Sequence, residues 1–237
     1  MFLKTPSPHN VELSALAGCD FASPDMEHAP LGLAELDMMA GFAGRAGLPL
    51  LPRLPSHDPA TIGHLLDLGT AGILAPHVAT PAQAERIVCA ARIECGARDV
   101  SPSPRAGAYG SLGMLGYLKR QRDEVIVATQ IEDRAGLDAV DEIAAVDGID
   151  ALFVGPVDLA LSLGVEGGAP EIDTALARIA EASKAAELSC GIFAPDGRVA
   201  ARHAGQGFTW FIVGSDQSHY QARLREELAR IEEGVPA

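Results

Sequence analysis

Short apolar runs alternate along this chain with longer stretches in which apolar residues return every three or four positions. The runs predict strands near residues 2–5, 20–24, 48–52, 71–75, 124–129, 149–154, 189–193 and 209–213. The helical spacing predicts helices near 9–18, 31–46, 58–68, 80–93, 133–146, 171–187, 196–205 and 215–232. Residues 133–146 show the logic. Ala135, Leu137, Val140, Ile143 and Ala144 recur on one side, and Asp133 is placed to cap the first turn. Asp147-Gly148 then ends the helix at a residue that tolerates positive φ. Eight strand–helix units with apolar strands predict a parallel sheet covered by helices. The count and the length favour closure into an α/β (β/α)8 TIM barrel, a single domain over 1–237. An open doubly wound sheet is the alternative, and no Gly-x-Gly-x-x-Gly turn follows the first strand to support it.

One stretch breaks the rhythm. Residues 94–117 are rich in Gly, Pro and Ser and read as a long loop, of the kind that is a functional lid, a surface loop or a subunit contact. Arg98, Arg105 and Tyr109 are its chemically useful members.

Composition narrows the function classes. The chain is 48% hydrophobic but only 5% aromatic, so Ala, Leu, Val and Ile must fill the core. A formal net charge of −14 with scattered Lys and Arg makes nucleic acid and anionic membranes poor partners. An anionic substrate then needs local cations, from Arg or a metal. Cys19, Cys89, Cys95 and Cys190 have no Cys-x-x-Cys spacing and form no zinc pattern. With no signal-like segment and no apolar run of spanning length, a reducing cytoplasm is the expectation.

Polar residues cluster where the apolar runs should end. In a barrel of this type those ends share one mouth. Glu132 follows Val125–Gln130, and Asp158 follows the run that closes with Gly155-Pro156. Two carboxylates on neighbouring strand ends can share a divalent cation, and oxygen ligation suits Mg²⁺, Mn²⁺ or Co²⁺ better than zinc. The plainer alternative is two solvated acids on loops. His28, in Asp25-Met-Glu-His-Ala-Pro30, can take a proton near neutral pH, or be a surface histidine. Arg53 can hold a carboxylate or an enolate oxygen, or form a structural ion pair. Gln130 adds a neutral polar group, His77 can line the mouth, and Gly214-Ser215-Asp216 offers a helix start suited to an anion.

Taken in order, Asp25-Met-Glu-His-Ala-Pro30, Arg53, Leu65-Leu-Asp-Leu-Gly-Thr70, Gln130-Ile-Glu132 and Phe153-Val-Gly-Pro-Val-Asp-Leu159 resemble the HpcH/HpaI aldolase family. The resemblance implies a divalent-metal-dependent class II aldolase that reversibly cleaves a 4-hydroxy-2-oxo acid to pyruvate and an aldehyde. It implies Glu132 and Asp158 as metal ligands, His28 as the base and Arg53 as the residue that stabilises the enolate. It also implies Gln130 and Val157 at the substrate, with Asp158 and Arg53, and Asp67 as an acid that raises the basicity of the histidine. The helix map puts Asp67 at the far end of its helix, so that role runs through a neighbouring subunit or another path. A homo-oligomer, hexameric or trimer-based, with the last helix exchanged, is implied as well. Only Lys4, Lys119 and Lys184 exist, and none is clearly placed for a Schiff base, which agrees with metal chemistry. The competing readings are oxaloacetate decarboxylation, a citrate-lyase-like cleavage, and a non-catalytic metabolite-binding barrel.

Overall fold

The computed structural model describes residues 1–234. Its seven strands are β1 (Phe2–Leu3), β2 (Ser23–Pro24), β3 (Gly72–Ala75), β4 (Ile126–Ile131), β5 (Ala151–Val154), β6 (Ser189–Ala194) and β7 (Trp210–Val213). β3 to β7 lie side by side in chain order in a five-stranded sheet, and β1 pairs with β2 in a second sheet. Every pairing is parallel, as strand–helix alternation requires.

The expected closed barrel of eight strands does not form. Residues 48–52, read as the third strand, build no ladder. That segment meets its neighbours through the isolated bridges Ala22↔Leu50, Asp25↔Arg53 and Arg53↔Leu74. Pro49 and Pro52 supply no N–H, so a continuous ladder is interrupted at two of its five positions. Pro24 acts in the same way on β2, which spans two residues. A single bridge, Phe2↔Ser215, links the two-stranded sheet to the chain beyond β7. The result is a five-stranded sheet and a two-stranded sheet tied by single bridges.

Side-chain alternation sorts the apolar residues into two cores. Ile73, Val127, Ile131, Leu152, Val154 and Ile192 join the larger one, with helix residues such as Leu36, Ile62, Ile87 and Ile179. Leu74, Ala128, Ala151, Phe153 and Ile212 face the other way and pack with Phe2 and Leu51. Trp210 lies across Gly191, its register partner, where an added Cβ would sit 2.1 Å from the indole. The ring also packs against Phe153, with centroids 4.9 Å apart.

Most predicted helices are present, from Pro8–Leu16 through Leu33–Ala46, Pro59–Asp67 and Pro81–Ala91 to Pro170–Ala185, Gly197–Ala204 and Asp216–Gly234. Asp133 caps as expected, accepting from the Gly136 N–H at 2.6 Å. The helix it starts is divided at Ala139 into Arg134–Asp138 and Val140–Ala144. Two helices were not legible as such: Gly113–Glu124 and Pro156–Leu163. The 94–117 stretch is correspondingly not a plain loop. It holds 3₁₀ turns at Ile93–Cys95 and Arg105–Gly110 and runs into the helix that starts at Gly113. Buried Arg98 fixes its first half by donating to Asp67 (2.7 Å), Gln121 (2.6 Å) and the Ala91 carbonyl (3.3 Å). Among the described residues no helix is long and apolar enough to cross a membrane.

Candidate active site

The strand alternation that builds the smaller core also builds the site. Continuing each strand by two residues from its core position reaches Lys4 after Phe2, Arg53 after Leu51, Gln130 after Ala128 and Gly155 after Phe153. These four residues line one cavity of about 290 Å³, with His28, Val157, Asp158 and Ser218. Phe2, Phe153 and Phe193 form its apolar floor.

Asp25 organises one wall. It is fully buried, and its carboxylate accepts from Arg53 through Nε (3.0 Å) and Nη2 (2.7 Å). Lys4 Nζ lies 3.2 Å away, and the backbone N–H of His28 donates at 3.2 Å. Burial alone would push the Asp25 carboxyl upward. The Arg53 bond and charge, the His28 N–H and Lys4 outweigh that, so it lies below the ordinary aspartate range. Arg53 also approaches Glu27 Oε2 at 3.2 Å and stacks over the Phe2 ring at 4.5 Å. The structural ion pair weighed for Arg53 is therefore present, and the guanidinium still borders the cavity.

Glu132, one residue beyond β4, is buried at 3% exposure. It accepts from the His77 backbone N–H at 2.6 Å and from Gln130 Nε2. Burial is the main influence on this carboxyl and raises it above the ordinary glutamate range; the bonds from His77 and Gln130 only partly oppose that. Gly155 holds the other side. A Cβ there would lie 2.9 Å from both Gln130 Nε2 and Glu132 Oε2. The absence of a side chain is what lets the carboxylate approach the cavity wall.

Asp158 lines the cavity from the first turn of the helix Pro156–Leu163 rather than from the strand end expected of it. Val157 precedes it and is exposed. First-turn N–H groups lack intrahelical acceptors and so face outward for a ligand. His28 is exposed, with Nε2 3.8 Å from Glu27 Oε2. His28, Arg53, Gln130, Val157 and Asp158 are thus brought together, with Glu132 behind Gln130 and Gly155. Asp67 does not line this cavity; it ends the helix Pro59–Asp67 and pairs with Arg98.

Sequence reasoning underrated three residues. Asp25 and Glu27 read only as acids beside His28, yet they hold Arg53 from two sides. His77 does not line the cavity, but bridges Glu27 and Glu132 with Nε2 (2.7 Å) and Nδ1 (3.0 Å). The two-residue alternation carries a signal for Asp25, which shares a strand face with Ser23; for His77 the sequence shows only its place after a strand, and its bridge to Glu27 and Glu132 depends on a turn.

Among the described residues no three or more His, Cys, Asp or Glu side chains gather as a metal cluster. Glu132 and Asp158 supply two carboxylates, and a hard divalent cation commonly takes one or two carboxylates with the rest of its shell from water and substrate. The buried Glu132 carboxyl beside Gly155, with the Asp158 carboxyl at the cavity, fits such a cation by its oxygen chemistry.

Comparison with known proteins agrees with this geometry. The family model described as HpcH/HpaI aldolase/citrate lyase matches residues 1–222. The 5-keto-4-deoxy-D-glucarate aldolase of Salmonella paratyphi C is 37% identical over 224 residues, covering 93% of this chain and 86% of that protein. An HpcH/HpaI aldolase/citrate lyase family protein from Burkholderia cenocepacia J2315 superimposes with a TM-score of 0.91 at 34% identity, over 98% of this chain and 93% of the other. An HpcH/HpaI aldolase from Desulfitobacterium hafniense DCB-2 gives a TM-score of 0.93 at 26% identity, over 100% and 92%. The strand-end cavity, its ordered motifs and these similarities have one conclusion: the chain belongs to the HpcH/HpaI aldolase/citrate lyase family and is a carbon–carbon lyase.

Proposed function

We propose that the chain is a divalent-metal-dependent class II aldolase that cleaves a 4-hydroxy-2-oxo acid reversibly to pyruvate and an aldehyde. The observation that carries this reading is the single cavity bordered by Arg53, Gln130, His28 and Asp158, with Glu132 directly behind Gln130 and Gly155. Glu132 and Asp158 would hold the cation, Mg²⁺, Mn²⁺ or Co²⁺ by their oxygen chemistry. When bound it supplies Lewis-acid polarisation of the 2-oxo group.

The protein's own groups account for the remainder. Arg53, fixed by Asp25 and Glu27, presents a cation that favours the enolate oxygen over the neutral ketone. Gln130 and the N–H groups around Val157 orient the oxo acid. His28 takes the proton from the 4-hydroxyl. The C3–C4 bond then breaks, the aldehyde carbonyl forms, the bond's electron pair passes into the enolate of pyruvate, and a proton adds to C3 to give the methyl group, so that the proton lost from the 4-hydroxyl is balanced. In synthesis His28 returns the proton. Asp67, engaged by Arg98 at the far end of its helix, would act from a neighbouring subunit or by another path. The relatives named for 5-keto-4-deoxy-D-glucarate support a substrate with a second carboxylate, and Lys4 with the Ser215 and Ser218 hydroxyls lines the cavity for it.

A homo-oligomer, hexameric or trimer-based, is part of the same reading. The helix Asp216–Gly234 leaves Tyr220, Leu224, Leu228 and Ile231 exposed at spacings of three and four.

Exchange of pyruvate methyl protons in D₂O tests enolate formation without a choice of aldehyde. Exchange should be absent with EDTA and restored by Mg²⁺, Mn²⁺ or Co²⁺, and Arg53→Lys should slow it while the fold persists. Folded protein that gives no exchange with any of the three metals would refute the assignment.

A further inference from the structure

His77 has more contacts than an exposed side chain needs. Its backbone lies in the left-handed region, at φ 54°. Residues with a Cβ seldom hold that conformation unless surrounding contacts fix it. Three contacts do so. The backbone N–H donates to Glu132 Oε1 at 2.6 Å, ring Nδ1 lies 3.0 Å from the same oxygen, and Nε2 reaches Glu27 Oε1 at 2.7 Å. The turn is held from the strand side as well, because Val78 donates to the Gln130 carbonyl at 3.3 Å. Yet 61% of the His77 side chain is exposed, so packing does not explain the strained turn.

The turn serves the carboxylate instead. Glu132 Oε1 is held by His77, while Oε2 accepts from Gln130 Nε2 and lies beside Gly155. Glu27 ties the other end of the ring to Arg53. We infer that His77 is a positioning residue, which pins Glu132 Oε1 and, with Gln130 on Oε2, fixes the orientation of the carboxylate for a bound divalent cation. The inference rests on the proposed metal dependence and adds a residue to it. Outer groups that orient a metal-binding carboxylate typically affect affinity by about ten- to a hundredfold.

Two substitutions separate positioning from folding. His77→Gly removes both ring contacts, keeps the backbone N–H and relieves the left-handed strain. His77→Asn tolerates the same backbone and returns a polar atom near the position of Nδ1. Mn²⁺ affinity is measured by electron paramagnetic resonance on the full chain, with thermal melting of each metal-free protein. Glu132→Gln serves as the control for the site. The expected result is about tenfold or greater loss of Mn²⁺ affinity in His77→Gly with no fall in metal-free melting temperature, and partial recovery in His77→Asn. Parental affinity in His77→Gly, or no recovery in His77→Asn, would overturn the inference. So would losses in both variants that appear only with lowered melting temperatures. If the parent protein itself binds no Mn²⁺, the metal reading fails and takes this inference with it. If the parent binds and Glu132→Gln does not, while His77→Gly stays at parental affinity, only the role of His77 falls.

Discussion

Asp25 carries the largest electrostatic responsibility of any single residue in the site. One buried carboxylate faces Arg53 and Lys4 and accepts backbone N–H groups from the turn that carries His28. Removing one member of a buried, hydrogen-bonded ion pair typically destabilises by about 3–5 kcal/mol, because the remaining charge stays desolvated. Asp25→Asn should therefore lower stability by an amount of that order at neutral pH. The pH dependence follows from the lowered carboxyl. A group depressed in the folded protein contributes fully above its unfolded value, about 3.9 for aspartate, and loses that contribution as pH falls through the folded value. Urea unfolding between pH 7 and pH 3 should show the gap between parent and Asp25→Asn narrowing only at the acid end. A gap that stays constant throughout would mean that this network does not lower the Asp25 carboxyl.

At the scale of the element, alternation and close approach decide the outcome. β4 and β5 place Ala128 and Phe153 in the smaller core and, one step further along the same face, Gln130 and Gly155 at the cavity. The floor beneath depends on Trp210, whose indole occupies the space that any side chain at Gly191 would need. Gly191→Ala should displace the ring and lower stability by about 1–3 kcal/mol, as overpacking of a filled core generally does. Chemical denaturation measures the loss, and Trp210, the chain's only tryptophan, reports the displacement by its fluorescence. Unchanged emission and stability would show that β6 and β7 accommodate the methyl group by moving apart. The prolines work in the opposite sense. Pro49 and Pro52 keep residues 48–52 out of the ladder, yet Arg53 still donates its N–H to the Pro24 carbonyl at 2.8 Å. Arg53 is thus carried into the site by bridges rather than by a strand.

For the molecule as a whole, the long helix Asp216–Gly234 is the element with least reason to stand alone. Its polar residues are interleaved with exposed Tyr220, Leu224, Leu228 and Ile231, and its charged faces hold their own pairs, such as Arg223 with Glu226 at 3.0 Å. Its first residue is tied to the start of the chain: the Asp216 carboxylate accepts from the Lys4 and Thr5 N–H groups and from Asn10. Loss of a contact at the apolar stripe would therefore leave the cavity's own wall intact. Leu224→Glu with Leu228→Glu should shift the mass in light scattering from an oligomer towards the single chain. If the parent chain already runs as a monomer, or the double variant keeps the parental mass, this stripe is not the contact.

The alternation of strands and helices, the parallel pairing that follows from it, and the order of Arg53, Gln130, Glu132 and Asp158 along the chain are written in the residues themselves. These are local properties: side chains alternate every second residue, apolar stripes return every 3.6, and Asp133 caps its own helix. Packing alone decided that seven strands divide into two sheets, because the effect of a missing proline N–H depends on which neighbour would have received it. It decided that the 94–117 stretch is pinned by buried Arg98 and that Asp67 is its partner, since residues 31 apart meet only after folding. It also decided that His77 joins Glu27 to Glu132. That contact needs a left-handed turn after β3, a buried carboxylate after β4 and an acid after β2, and no spacing within the chain links the three.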